Sequence, residues 1–152
     1  MEQLRDLAVR LVMGEPVGDD LPMAAAHALA RGVDSPSLRE LAGLPKGQPR
    51  ESVDLFRQAM DELGSPVPDE GDARLHLMRQ AAADIVAGEG DAEDLAYEIY
   101  CQAVESQLPE LRPVADRFLE LYAGWGPAYD QTEKAIAATR AAAQSFLRDH
   151  PA

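Results

Sequence analysis

Apolar side chains recur along this chain at intervals of three and four residues, the spacing that places them on one face of an α-helix. The pattern begins with Leu4, Leu7 and Leu11 and returns in later segments down to Phe146 and Leu147. No stretch alternates β-branched and polar residues, as a half-buried strand would. The sequence therefore predicts an all-α fold, a compact bundle of seven to eight helices.

Glycine, proline and short polar residues mark the predicted helix boundaries. Four apolar stripes are each followed by a glycine that can end a helix: Gly14, Gly32, Gly64 and Gly88. Ser35 before Pro36 predicts the start of a third helix, and Asp20 and Asp91 are predicted to cap the second and sixth helices. The last helix is expected to run from about residue 129 to 148.

The apolar stripes also predict which side chains are buried. We expect Met23, Ala26 and Ala30 on the inner face of the second helix, and Val104 inside the sixth. The wider predicted core comprises Phe56, Leu63, Leu75, Met78, Ile85, Leu95, Ile99, Phe118, Leu121 and Phe146.

One internal segment has the composition of a linker. The sequence SPVPDEGD, residues 65–72, contains two prolines, a glycine and three acidic residues. We interpret residues 1–152 as a single helical domain in which this linker joins halves of about 1–64 and 70–152.

Two segments resemble each other at an offset of 74 residues. LVMGEPVGDDL at 11–21 aligns without a gap with IVAGEGDAEDL at 85–95. A duplicated helical hairpin, giving two similar halves, is one explanation. The alternative is that glycine after one helix and aspartate before the next recur wherever two helices join.

The charge of the chain narrows the class of partner. There are 27 acidic against 14 Lys and Arg residues, so the formal net charge is −13. Such a surface repels nucleic-acid phosphates and anionic membranes and attracts basic proteins. The plainer alternative is that the acidity only keeps the protein dissolved.

The sequence predicts a cytoplasmic protein. Cys101 is the one cysteine, so no intrachain disulfide can form, which is typical of a reducing compartment. Its neighbours at helical spacing predict a small buried thiol. No segment approaches the roughly 20 apolar residues of a membrane span.

No residue pattern points to catalysis, a metal or a cofactor. The three histidines lack the Glu-x-x-His and His-Glu-x-x-His spacings of metal sites, and the acidic loop at 89–94 lacks the spacing of a calcium loop. No nucleophile elbow, phosphate loop or dinucleotide fingerprint is present. We therefore predict that the chain is not an enzyme.

Residues 35–60 offer an alternative function. They resemble a helix-turn-helix, a short helix followed by a longer one, and they include four basic residues, Arg39, Lys46, Arg50 and Arg57. The connection is longer than the usual three to four residues, and Glu51 and Asp54 fall where phosphates would lie. A small transcriptional regulator is therefore the second hypothesis.

A segment within the first half carries a resemblance. AHALARGVDSPSLRELAGL, residues 26–44, is similar to a segment of small uncharacterised all-helical proteins of high-GC, actinobacterial-type bacteria. The resemblance implies a bacterial origin and assigns no activity.

The first hypothesis is a non-catalytic protein-binding module of accessory or immunity type, acting through an acidic and aromatic surface. Residues 69–110 hold eleven acidic and two basic residues, and seven of the eight aromatic residues follow residue 96. Trp125 and Tyr129 are the predicted anchors for a basic partner, and Asp91, Glu93 and Asp94 are predicted to steer it. The alternative is that the aromatic rings fill a core poor in bulky residues.

Overall fold

The computed structural model describes residues 1–125 and 129–152, without the side chains of residues 129–131. Within them it is all-helical, with eight α-helices, one 3₁₀ turn and no strand, which confirms the predicted fold class. The helices are α1 (Glu2–Val12), α2 (Leu21–Ala30), α3 (Pro36–Ala42), α4 (Pro49–Glu62), α5 (Glu70–Ala87), α6 (Ala92–Glu105), α7 (Arg112–Ala123) and α8 (Tyr129–Asp149), with the 3₁₀ turn at Pro109–Leu111.

The chain forms two compact units. Unit 1 comprises Met1–Glu70 and unit 2 comprises Gly71–Ala152. The boundary falls within the segment 65–72. Each unit has its own apolar core, so the core of each is described separately.

Unit 1 packs α1 to α4 around leucine, alanine and one aromatic ring. Its fully buried large side chains are Leu4, Val17, Leu21, Leu38, Leu41, Phe56 and Met60. The short helix α3 is fixed at its start, where the Ser35 hydroxyl accepts the Leu38 amide at 3.2 Å, as predicted for this cap. The Glu62 carboxylate at the end of α4 accepts both the amide and the hydroxyl of Ser37, at 3.0 and 2.7 Å.

Unit 2 packs α5 to α8 around a second core. Its buried apolar residues are Met78, Ala81, Ala82, Ile85, Ala96, Ile99, Ala103, Leu111, Ala115, Phe118, Leu121, Ala143 and Phe146. Alanine is frequent in this set, which permits close approach of the helices. Arg74 of α5 is almost wholly buried and donates to Gln102 and Glu105 of α6, at 2.9 and 2.6 Å. This ion pair fixes α5 against α6.

The predicted core is largely confirmed. Seven of its ten members are buried: Phe56, Met78, Ile85, Ile99, Phe118, Leu121 and Phe146. Leu63, Leu75 and Leu95 are only partly buried, packed at the edges of the two cores. Bulky side chains on the stripes were therefore reliable markers of the interior.

Three predicted inner positions are wrong. Met23 is 60% exposed and Ala30 is exposed as well, because α2 buries Leu21, Ala24, Ala25 and Ala28 instead of the face first assigned. In a helix this rich in alanine, the pattern gives little contrast between its faces.

Val104 is the third error, with 49% of its surface exposed. The buried stripe of α6 is Ala96, Ile99 and Ala103. Val104 follows Ala103 by one position, which turns it about 100° away from that stripe.

The predicted equivalence of Gly14 and Gly88 is confirmed. Both have left-handed backbone angles, with φ of +83° and +75°. At each, the glycine amide bonds the carbonyl three residues back, and the next amide bonds the carbonyl five residues back. Only glycine adopts this conformation without strain, and the bonds satisfy carbonyls left open at the helix end.

The same helix ending also occurs at Gly32 and Gly64, with the same pair of hydrogen bonds. Beyond the glycine, the two copies of the repeat differ. The predicted cap at Asp91 is confirmed, because Asp91 accepts the Asp94 amide at 3.0 Å, whereas the predicted cap at Asp20 is wrong, because Asp20 makes no side-chain cap bond to α2. A shared way of ending a helix therefore explains the matching glycines of the two segments. Duplication of a helical hairpin stays a hypothesis.

Candidate partner-binding surface

Helices α6 and α7 form an antiparallel hairpin in unit 2. The ring of Tyr97, early in α6, lies 4.8 Å from the ring of Tyr122, late in α7, measured between centroids. Toward the connection, Val104 of α6 and Leu119 of α7 line one groove. The two helices therefore run alongside each other in opposite directions.

This hairpin exposes the large apolar side chains of unit 2. Tyr97, Val104 and Leu119 are 46%, 49% and 41% exposed, and no other large apolar residue described in unit 2 is exposed. Single exposed apolar residues are ordinary on a protein surface, but a contiguous group marks an interaction site. The location of all three on one hairpin is therefore the first indication of a binding surface.

The exposed residues are linked by neighbouring rings. Tyr100 lies 5.9 Å from Tyr97 between ring centroids and also lines the groove with Val104 and Leu119. We call the five residues Tyr97, Tyr100, Val104, Leu119 and Tyr122 the hairpin surface. Tyrosine offers a large contact area with few rotatable bonds, which is why it is enriched in binding hot spots.

A groove of about 400 Å³ lies at the connected end of the hairpin. Most of its lining residues are apolar, including the buried Ala103 and Ala115, and its polar members are Gln107, Arg112 and Asp116. Such a shape accepts one or more apolar side chains from a partner.

Each exposed apolar residue is followed in the sequence by a glutamate. The pairs are Tyr97 with Glu98, Val104 with Glu105, and Leu119 with Glu120, and all three glutamates are exposed. Residues 92–123 as a whole contain seven acidic and two basic residues. Glu105 is paired with Arg74 at 2.6 Å and Glu120 with Arg117 at 3.6 Å, which partly neutralises both carboxylates. The net negative charge of the whole segment therefore makes it complementary to a basic partner.

Cys101 lies half-buried within this region. The sequence predicted a buried thiol, but the side chain is only partly buried. It lies one helical turn after Tyr97 on α6. A hydrogen bond with the Cys101 thiol raises the pKa of Tyr97 above its usual value.

Gln107 is a strained residue at the groove. Its φ is +55°, and it is the one non-glycine residue with positive φ in the described part of the chain, where six glycines take the other left-handed positions. It lies two residues beyond the end of α6, after Ser106, with its amide bonded to the Val104 carbonyl at 3.2 Å. Glycine would fit this backbone at lower free energy than glutamine.

The predicted anchor Trp125 lies at a different place. It is partly buried and lines a cavity of about 300 Å³ together with Ile85, Ile136 and Arg140. Its indole nitrogen is fully buried and has no acceptor among the described residues. Its role as an anchor stays a prediction.

The structure brings one predicted acidic residue to Trp125. Asp91 lines the same cavity while it caps α6. Glu93 and Asp94 lie in the first turn of α6, outside the described lining of the cavity. Tyr129 starts α8, but its side chain lies outside the described residues.

The segment proposed as a helix-turn-helix forms α3 and α4, separated by six residues. The bond between Ser37 and Glu62 places the first turn of α3 against the last turn of α4. In a helix-turn-helix the two helices diverge from a short turn at a large angle. Of the basic residues, Arg39 is bonded through two of its nitrogens to Asp34, which partly neutralises it.

The described residues contain neither a metal-binding cluster nor a membrane-spanning helix. No group of three or more His, Cys, Asp or Glu side chains among them is arranged to hold a metal ion. No helix combines the length and apolarity needed to cross a membrane.

The sequence contained a signal for the hairpin surface that burial prediction overlooked. Tyr97 and Val104 are seven residues apart, two helical turns, and each follows a buried alanine by one position. A second apolar stripe about 100° from the first indicates a helix with two contact faces. Leu119, one position after the buried Phe118, repeats this arrangement on α7.

Comparisons of this chain with known protein families, with curated proteins and with solved structures found no match.

Proposed function

We propose that this chain is a non-catalytic protein-binding module, of accessory or immunity type, that binds a basic protein partner through the hairpin surface. The observation that carries the proposal is the exposure of Tyr97, Val104 and Leu119 together on one hairpin. Burial of apolar area stabilises a complex by roughly 25 cal/mol per Å² before the costs of association. This surface supplies such area without any change in the fold of unit 2.

The charge of the surface supports a basic partner. Opposite charge across an interface mainly accelerates association and selects among partners. Residues 92–123, with seven acidic and two basic residues, provide that charge, and Glu98 beside Tyr97 is exposed. The single thiol, half-buried and unable to form an intrachain disulfide, suits a cytoplasmic setting for this complex.

Affinity capture with matched variants tests the proposal. The immobilised chain is exposed to lysate of the source cells, and bound proteins are quantified by mass spectrometry. The double variant Val104→Asp, Leu119→Asp removes the apolar centre at exposed positions, where substitutions change stability little. Met23→Asp in unit 1 is the matched control, because Met23 is the other exposed large apolar residue described.

We expect the wild type and Met23→Asp to capture the same basic protein. The double variant should capture a tenth of that amount or less. Raising the salt concentration should reduce capture of this protein, since the steering charges are screened. Capture that is equal for all three variants would contradict the proposal. If the wild type instead captured nucleic acid, and charge reversal of Arg50 and Arg57 abolished that capture, the transcriptional regulator would be favoured.

A further inference from the structure

We infer that the occupant of the hairpin surface is an amphipathic α-helix of the partner, about three turns long, with basic residues beside its apolar stripe and with Gln107 as a polar contact at one end. This inference rests on the proposed function and adds the structural class of the partner segment. Its test is chosen so that it can fail while the proposed function stands.

The shape of the hairpin surface calls for an elongated occupant. Tyr97 and Val104 are separated by seven helical residues, about 10.5 Å along α6, and the groove continues past Val104 to Gln107. The exposed seam is therefore roughly 15 Å long. A compact small molecule filling the groove would leave Tyr97 and Tyr122 uncovered, whereas a helix lying along the hairpin covers both.

The spacing of the exposed residues matches the stripe of a helix. An amphipathic helix presents apolar side chains at intervals of three, four and seven residues, and two helices already packed in parallel or antiparallel fashion accept a third in the groove between them. Val104 and Leu119 stand on opposite sides of this groove, one on each helix of the hairpin. A partner leucine placed between them would be enclosed from both sides.

Charge decides between a basic helix and a second copy of this chain. Two copies docked through their hairpins would bring the acidic segments 92–123 of both copies together. The segment 92–123, with seven acidic and two basic residues, repels itself. A helix with Lys or Arg beside its leucines is attracted to the same segment.

Gln107 gives the groove a polar end. It lines the groove in a left-handed conformation that glycine adopts more easily, and the chain uses glycine at its six other described left-handed positions. The side-chain amide offers two donors and one acceptor, and an end of a docked helix has unsatisfied amide or carbonyl groups that an amide can bond. A glutamine held in a strained conformation at this position fits such a contact.

Synthetic peptides test the inference directly. The first probe is a fluorescein-labelled peptide of about 16 residues with leucines at helical spacing and lysines beside them. The second replaces every lysine by glutamate, and the third keeps the composition of the first in an order without a stripe. Fluorescence anisotropy against the full chain gives the dissociation constants.

We expect the lysine peptide to bind at least tenfold more tightly than either of the other two. Leu119→Asp should weaken its binding tenfold or more, and Met23→Asp should leave it unchanged. Gln107→Gly should raise the melting temperature of the chain and weaken peptide binding about threefold. The opposite signs separate a binding role for the side chain from a structural one.

Equal binding of the ordered and disordered lysine peptides would overturn the inference, because charge alone would then explain the affinity. Equal binding of the glutamate peptide, or no binding of any peptide, would overturn it as well. If the lysate capture still depended on Val104 and Leu119, the proposed function would survive these outcomes. If Gln107→Gly bound the lysine peptide with unchanged affinity, Gln107 would not be a contact of the docked helix.

Discussion

Units 1 and 2 carry nearly the same net charge and differ in what they leave exposed. Unit 1 has thirteen acidic and seven basic residues, and unit 2 has fourteen and seven. Unit 1 contains one aromatic residue, Phe56, which is wholly buried, whereas unit 2 contains seven and exposes Tyr97. Total acidity therefore does not separate the two units, but exposed apolar side chains do.

The acidity is uneven within unit 2. Residues 71–110 contain nine acidic and two basic residues, while residues 111–152 contain five of each. The acidic part includes all of α6, which supplies three of the five members of the hairpin surface. The comparison shows that an excess of acidic residues indicates a candidate binding surface only where it coincides with exposed apolar side chains.

The largest expected effect tests whether the two cores are equally well packed. Phe56→Ala in unit 1 and Phe118→Ala in unit 2 each remove a ring that is at most 1% exposed. Each should lower the free energy of unfolding by about 3–5 kcal/mol, from lost burial and the cavity left behind. Urea denaturation measures both. A loss under about 1 kcal/mol for Phe118→Ala would show that α7 is packed differently from this account.

Helix ends were the part of the fold that the sequence predicted best. The four glycines with left-handed angles, and the caps at Ser35 and Asp91, are fixed by local backbone chemistry that a few residues determine. The orientation of a helix about its axis depends on tertiary packing, and α2 was assigned the wrong face because its alanines give no size contrast.

The candidate site was predicted less well than the fold. The sequence placed it in unit 2 from charge and aromatic content, and it named Trp125, Tyr129 and the acidic residues around α6. It missed Leu119 and assigned Val104 to the core, because a single apolar stripe was sought on α6. A surface formed by two helices depends on how they pack together, which neither helix's sequence shows alone.

The next effect compares the same helix ending in the two units. Gly14→Ala and Gly88→Ala place a methyl group at a left-handed backbone position, and space for it exists at both sites. Each should lower the free energy of unfolding by about 1 kcal/mol, because of the backbone conformation alone. Thermal denaturation measures the pair. A clearly larger loss at one glycine would mean that packing around it also contributes.

The smallest effect concerns the carboxylate that ties α3 to α4 in unit 1. The Ser37 hydroxyl, with the Ser37 amide and the Ser35 hydroxyl, lowers the pKa of Glu62. Since the folded pKa is below the unfolded one, the stabilisation is complete above the usual pKa of a glutamate and is lost as the pH falls through the lowered value.

Glu62→Gln should therefore lower the melting temperature at neutral pH. The difference in melting temperature from the wild type should become smaller as the pH falls below about 4. Asp61→Asn is the matched control, because it removes a charge from the same turn of α4. Melting curves recorded across this pH range supply the comparison. A difference between wild type and Glu62→Gln that does not change with pH would refute the assigned role of the carboxylate.

The most direct test of the central claim compares the two exposed apolar regions in living cells. A photo-crosslinking benzophenone side chain is placed at Leu119 in unit 2 or at Met23 in unit 1, both exposed positions. We predict one discrete crosslinked protein for the Leu119 position, absent for the Met23 position and lost when Val104→Asp is added. The same crosslinking pattern at both positions, or one unaffected by Val104→Asp, would contradict the assignment of binding to the hairpin surface.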